Sequence, residues 1–325
     1  MTDPSPTIAL EQSVAAYLAH QRALGRGYDN EARVLEAIRC FAAQSSANDL
    51  SASLFEHWCE SLSYLSPNTR RARQLIVRKF CLYRQRSEPD CFVPNPLYFA
   101  RRQPYRRPVI VEPVQVARML AAADKLHPTP GSPLLPAVMR IAVVLLYTAG
   151  LRRGEQLRLT LGDVQLPSGV LHIRESKFHK SRWVPLSSDA RKELQAYLHK
   201  RRMTELDSGQ QTPLLCNRSR GLRGYTGTGI SSGIHTLFES AGIQDDANRT
   251  PCVHDLRHSF AVQALIRWYR DGADVPSQLP KLAMYMGHVS IVSTAYYLSL
   301  VPELSRLASE RFEDQFGHLL KEVHR

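Results

Sequence analysis

The sequence predicts a mainly helical protein with one small β-sheet, organised as two domains, and three observations carry that prediction. Apolar residues recur at three- and four-residue spacing over most of the chain. Only Val170–Glu175 and Arg182–Leu186 alternate in the manner of a hairpin or sheet edge. Between Ser87 and Pro113 six prolines (Pro89, Pro94, Pro96, Pro104, Pro108 and Pro113) exclude a continuous helix and separate two helical regions. At 325 residues the chain also exceeds what one core usually serves.

In chain order, residues from about 8 to 86 read as four helices. Leu10, Val14, Tyr17 and Leu18 mark the apolar face of the first, and Val34, Leu35, Ile38 and Phe41 that of the second. Ser53 with Glu56 has the spacing of a capping box near the start of the third, and Asn68-Thr69 is the expected start of the basic fourth. The expected domains are a helical domain over 1–87, a Pro/Arg-rich linker over 88–113, a larger domain over 114–302 and a C-terminal helix over 303–325. In the larger domain, Val114–Asp124 and Leu134–Tyr147 read as helices, the second apolar enough to be central, and helices resume near Asp189. Thr226-Gly227-Thr228-Gly229 lacks the Lys-Ser/Thr end of a nucleotide-binding loop and reads as the start of a helix.

Forty-two Lys and Arg against 30 Asp and Glu give a net charge of +12, which points to a polyanionic partner, nucleic acid first. The charge is concentrated: Ser66–Ser87 carries Arg70, Arg71, Arg73, Arg78, Lys79, Arg84 and Arg86 with no acidic residue, and Arg101, Arg102, Arg106 and Arg107 follow. Cys40, Cys59, Cys81, Cys91, Cys216 and Cys252 form no CxxC pair or zinc spacing and read as reduced, mostly buried thiols, which fits the cytoplasm. The N-terminus lacks a charged start and an apolar run, and the most hydrophobic stretch, Ala137–Gly150, is short and interrupted by Arg140, so neither export nor a membrane span is expected.

The chemistry is carried by scattered cations and one tyrosine. A phosphodiester repels nucleophiles, and its transition state spreads negative charge over oxygens that need fixed donors. Guanidinium forks supply such donors without a metal. Arg152 lies in Thr148-Ala149-Gly150-Leu151-Arg152-Arg153-Gly154-Glu155, and His254-Asp255-Leu256-Arg257-His258 puts His254, Arg257 and His258 on one helix face. Lys177 follows a predicted strand, and Met286-Gly287-His288 leads to Tyr297. Tyr296 competes with Tyr297, and Lys180 with Lys177. No carboxylate or thiol completes a usual ligand set around the histidines, so no metal is expected.

The ordered segments, from Val109 to Leu300, resemble the catalytic domain of the tyrosine recombinases, or phage-type integrases. Thr148–Leu157 is similar to the first arginine box, and the resemblance gives Arg152 its arginine's place and Glu155 that of a supporting acid. Lys177-Phe178-His179-Lys180-Ser181-Arg182-Trp183-Val184-Pro185-Leu186 resembles the hairpin that carries the catalytic lysine, at Lys177. His254 and Arg257 match the His-x-x-Arg box, His288 the histidine-or-tryptophan position and Tyr297 the nucleophile; His258 is left as support. Arg153, where the family has a small or apolar residue, and a lengthened connection over 267–280 depart from the pattern.

The resemblance implies an α+β catalytic domain behind a helical core-binding domain, and an enzyme that cuts and rejoins duplex DNA through a phosphotyrosine: a site-specific recombinase, integrase or transposase. Tyr297 would attack, Lys177 protonate the leaving 5′ oxygen, His254 accept or give a proton near the tyrosine, oriented by Glu155, and His288 bond a phosphate oxygen. It implies no cofactor, phosphate contacts from Arg70, Arg71, Arg73, Arg78, Lys79, Arg101, Arg102, Arg106 and Arg107, and a homotetramer on paired DNA sites, with accessory recombinases or DNA-bending proteins as further partners; the 303–325 helix either packs on its own domain or, as the resemblance implies, docks on a neighbouring protomer. Two rivals stay open: a type IB topoisomerase, and a catalytically silent DNA-binding regulator on the same fold.

Overall fold

A computed structural model describes residues 10–174, 181–204, 206, 209–218, 221–300, 306, 309 and 310. The chain divides into two compact units, Met1–Arg106 and Arg107–Arg325.

The first unit contains α1 (Leu10–Ala23), α2 (Asp29–Gln44), α3 (Ala52–Ser61) and α4 (Pro67–Arg84). The helix starts differ from the sequence expectation by a few residues. The Ser51 hydroxyl accepts from the Leu54 amide at 3.2 Å, so Ser53 falls inside the first turn of α3. Ser66 caps α4 with Pro67 in the first turn, two residues before Asn68, because proline has no amide to leave unbonded there. Leu35, Ile38, Trp58, Val77 and Phe80 form the centre of the core. Arg84, read from sequence as part of a basic surface, is only 3% exposed and is clamped by Asp49 at 2.6 Å and by Glu88.

Most of the proline- and arginine-rich stretch packs on this same unit. Phe92, Val93 and Phe99 join its core, Arg71 donates to the Ala100 carbonyl at 3.1 Å, and Asn68 and Gln103 bond each other both ways at 2.9 Å. Arg78 donates to the Pro94 carbonyl. Ile110 and Val111 instead pack in the second unit, which places the division at 106/107 rather than across 88–113.

The second unit is built around α6 (Leu135–Thr148), whose nine buried residues leave it almost no solvent face. It packs against α5 (Pro113–Asp124), α8 (Ser188–Met203), α9 (Gly227–Ser240) and α10 (Val253–Arg270). Arg140, the polar interruption in α6, ties three helices together by pairing with Asp124 at 2.8 Å and Glu193 at 2.6 Å. The predicted hairpin forms: β2 (Val170–Ile173) pairs antiparallel with β3 (Arg182–Pro185), with Leu171 opposite Val184. A two-residue strand, β1 (Val164–Gln165), adds to β2, and β4 (Cys216–Asn217) pairs with β5 (Arg223–Gly224); these pieces are too short to show a period. Thr226 caps α9 by accepting from the Gly229 amide at 3.0 Å, so the Thr-Gly-Thr-Gly string does begin a helix.

The remaining helices are α7 (Arg153–Arg158), α11 (Val275–Met286) and α12 (Val292–Ala295), the last running into a 3-10 turn over Tyr296–Ser299. The connection over 267–280 is the end of α10, a turn and the start of α11. All six cysteines are unpaired, but only Cys81 and Cys216 are buried; Cys40, Cys59 and Cys91 are half-buried and Cys252 is exposed. Among the described residues no helix is long and apolar enough to cross a membrane. The expected C-terminal helix lies outside the described residues except at 306, 309 and 310.

Candidate active site

The second unit gathers Arg152, Glu155, Arg182, His254, Arg257, His258, His288 and Tyr297 from segments up to 145 residues apart in sequence. The anchor is the C-terminal end of α11. A helix end leaves carbonyls without amide partners and carries partial negative charge, which suits cations. Three successive carbonyls there each accept from a different arginine: Tyr285 from Arg182 Nε at 2.7 Å, Met286 from Arg257 at 2.7 Å and Gly287 from Arg152 at 2.8 Å.

Glu155 holds the guanidiniums from the other side. Its side chain is 1% exposed, bonds Arg152 at 2.7 Å and meets Arg182 with both oxygens at 3.0 and 2.9 Å. Arg257, also 1% exposed, lies 4.0 Å from the same carboxylate and donates to the Gly150 carbonyl. Glu155, expected from the resemblance to support the site by orienting His254, hydrogen-bonds Arg152 and Arg182 and so braces the cations. Burial and the neighbouring Arg152 pull the Arg257 pKa down to about 10, so it is still charged at neutral pH.

Two glycines allow this close approach. Gly150, at φ +58°, follows α6 so tightly that a β-carbon would sit 2.4 Å from the Phe260 ring. Gly287, at φ +68°, ends α11 in the left-handed region, where a β-carbon would lie 2.9 Å from Arg182 and 3.3 Å from Arg152.

The histidines and the tyrosine follow from the helix register. His254 and His258 are four residues apart on α10, and their rings meet edge-to-face at 4.6 Å. His288, just past Gly287, bonds the buried Thr294 hydroxyl through Nδ1 at 2.8 Å, and its ring stacks on that of Tyr297 at 6.2 Å. The Tyr297 hydroxyl lies 3.0 Å from His258 Nδ1. Tyr297 is 2% exposed and Tyr296 46%, which separates two neighbours that look alike in sequence. Desolvation and the surrounding positive charge hold His254 and His288 at about 4 and His258 at about 3, so all three rings are neutral at pH 7. Burial raises the Tyr297 phenol, while Arg257 and Arg152 draw it back down.

Beside this cluster a hollow of about 590 Å³ is lined by Arg152, Arg153, His254, Ser231, His235 and Thr250 among others. It is wide enough for a phosphate group, and its cations suit an anion. Arg153 donates to the Ser231 hydroxyl at 2.7 Å. Among the described residues no three His, Cys, Asp or Glu side chains come together as a metal site. Lys177 lies outside the described residues. Arg182 had no role from sequence; its signal is that it shares the inward face of β3 with the buried Val184. Of the candidate DNA contacts, Lys79, Arg101, Arg102 and Arg106 in the first unit and Arg107 at the start of the second are exposed, whereas Arg70, Arg71, Arg73 and Arg78 are half-buried.

Comparison with known proteins gives a consistent result. A family model described as the phage integrase family matches residues 110–303. The putative integrase/recombinase y4rE of Sinorhizobium fredii is 30% identical over 303 residues, covering 93% of this chain and 95% of that protein. Tyrosine recombinase XerD of Vibrio cholerae is 30% identical over 259 residues, covering 79% and 78%. Among solved structures, the integrase of transposon Tn1549 in complex with transposon right-end DNA has a TM-score of 0.64 at 17% identity, covering 94% of this chain and 99% of that one. A λ integrase dimer bound to a core site has a TM-score of 0.59 at 15% identity, covering 89% and 95%, and the shared fold has the helical and small-sheet make-up expected from sequence. By the family match and the full-length similarity together, this chain belongs to the phage integrase family, the tyrosine recombinases.

Proposed function

We propose that the protein is a site-specific DNA recombinase that cuts and rejoins duplex DNA through a 3′-phosphotyrosine intermediate, serving integration or transposition. The observation that carries the reading is the meeting of three guanidiniums, held by one carboxylate and three carbonyls, with a tyrosine hydroxyl bonded to a neutral histidine. The integrases of similar fold were solved with DNA, which supports duplex DNA as the partner.

In this mechanism Arg152 and Arg257 hold the non-bridging oxygens of the scissile phosphate, and their fixed charges stabilise the extra negative charge of the transition state. His254, at the rim of the hollow, and His288, steadied by Thr294, donate further hydrogen bonds to those oxygens. Tyr297 attacks phosphorus, and Lys177 protonates the 5′ oxygen as it leaves. The resulting ester conserves the bond energy, so a 5′ hydroxyl from a second duplex can reverse the step and join new partners. Glu155 and Arg182 act as positioning residues. The chain works as a tetramer on two paired sites, with the segment after Pro302 coupling neighbouring protomers, and other recombinases or DNA-bending proteins assisting.

The test is a nicked suicide duplex carrying the cognate site. Wild type is expected to form a denaturant-stable protein–DNA adduct, Tyr297→Phe none, and Tyr296→Phe a normal amount. An adduct that persists in Tyr297→Phe and disappears in Tyr296→Phe moves the nucleophile by one residue. Absence of any adduct from wild type overturns the enzymatic reading in favour of a DNA-binding regulator.

A further inference from the structure

The resemblance gives the proton of the Tyr297 phenol to His254, and the proposed mechanism, with His254 on the phosphate, leaves that proton open. The His-x-x-Arg pattern draws attention to His254, but His254 faces the hollow with Arg152 and Arg153. The nitrogen at the phenol belongs to His258, one turn further along α10, with Nδ1 3.0 Å from the Tyr297 oxygen and ring centroids 5.5 Å apart. The contact is enclosed, since Tyr297 is 2% exposed and packs among Ala261, Val262, Leu265 and Met286.

We infer that His258 is the general base of the cleavage step, taking the phenolic proton of Tyr297 directly through Nδ1. The inference rests on the transesterification reading above and assigns the atom that reading leaves open. As the Tyr297 oxygen bonds to phosphorus, its O–H bond breaks and the proton passes to His258 Nδ1, while the bond from phosphorus to the 5′ oxygen breaks and that oxygen takes a proton from Lys177. In the joining step the incoming 5′ hydroxyl returns its proton to Lys177 and the departing phenolate recovers its own from His258. Protons balance over the cycle and no outside base is needed.

Accepting at Nδ1 requires the neutral ring with its proton on Nε2. Burial, and then the charge of Arg257, keep His258 neutral; the groups facing it are His254 and Arg257 from its own helix and His288 and Tyr297 from the segments packed against it. A ring so buried beside a guanidinium is a weak base until an anion arrives. The DNA phosphate supplies that anion, and the negative charge growing on its oxygens strengthens His258 as the phenol gives up its proton. His254, in edge contact with His258 at 4.6 Å, lies between the base and the hollow and serves the phosphate.

The experiment measures single-turnover cleavage of the suicide duplex by wild type and His258→Gln, each with tyrosine or the more acidic 3,5-difluorotyrosine at position 297. Glutamine keeps a polar contact but takes no proton. The expected result is a loss of about 10²–10⁴-fold for His258→Gln at pH 7 with unchanged DNA affinity, a rate that climbs with pH, and recovery of most of the loss by the fluorinated phenol. Full activity in His258→Gln, or a loss that the acidic phenol does not repair, overturns the assignment, the second outcome making His258 a positioning residue. Imidazole nitrogen NMR of wild type provides a reading that no variant can confound: an unprotonated Nδ1 at pH 7 is required, and a protonated Nδ1 refutes the role. Failure of wild type to form the Tyr297 adduct counts against the recombinase reading itself and is distinct from all of these outcomes.

Discussion

At the scale of single residues, Glu155 has the largest consequences. One carboxylate that is 1% exposed serves Arg152 and Arg182 directly and lies 4.0 Å from Arg257. Removing one member of such a buried set leaves the others unbalanced. Glu155→Gln is expected to cost about 3–5 kcal/mol of stability in urea unfolding, and to reduce cleavage more than DNA binding. The histidines give a pH prediction. His254 and His288 near 4 and His258 near 3 all lie below the ordinary 6.5, so the unfolded chain binds protons that the native one refuses. Their contribution is therefore intact above about pH 6.5 and is lost as pH falls toward 4, which denaturant midpoints at pH 7 and 4.5 will register. Arg257, His254 and His258 could be read as neighbours because helical spacing alone puts them on one face. Arg182 could not, since its partner lies 27 residues away and only the folded sheet brings them together.

At the scale of elements, the turn after α6 fixes where the site stands. Gly150 presents its carbonyl to Arg257 while the Phe260 ring covers the place of a side chain. Gly150→Ala combines a left-handed residue, about 1–2 kcal/mol, with overpacking of about 1–3 kcal/mol, so a fall of about 2–5 kcal/mol in unfolding free energy is expected. The same change at Gly25, also at positive φ but with nothing near its β-carbon, should cost only the first part. Long helices with a clear apolar stripe were legible in the sequence to within a residue or two. Their caps were less so, because Ser51 and Ser53, or Ser66 and Thr69, offer equivalent hydroxyls until the chain commits to one. β1 was invisible because two residues carry no alternation, and it exists only through pairing with β2.

At the scale of the whole molecule, the net charge of +12 makes salt the natural probe of function. Each phosphate contact removed should lower the salt slope of DNA binding by about one, and exposed Lys79, Arg101, Arg102 and Arg107 are the positions where neutralisation is expected to do so. Arg78→Gln should behave otherwise: its bond to the Pro94 carbonyl holds the 88–106 stretch on the first unit, so the loss will appear in unfolding followed by Trp58 fluorescence. Composition pointed to an anionic partner but not to which cations face outward, because Arg84 and Lys79 are both cations and the buried one is told from the exposed one only by position. The end of α11 links these scales. Since the carbonyls of Tyr285, Met286 and Gly287 hold Arg182, Arg257 and Arg152, and the chain leaves that point for His288 and Tyr297, a shift of this helix end displaces the three guanidiniums and the tyrosine together. Under the proposed chemistry, one movement of this helix end would disturb both halves of the reaction.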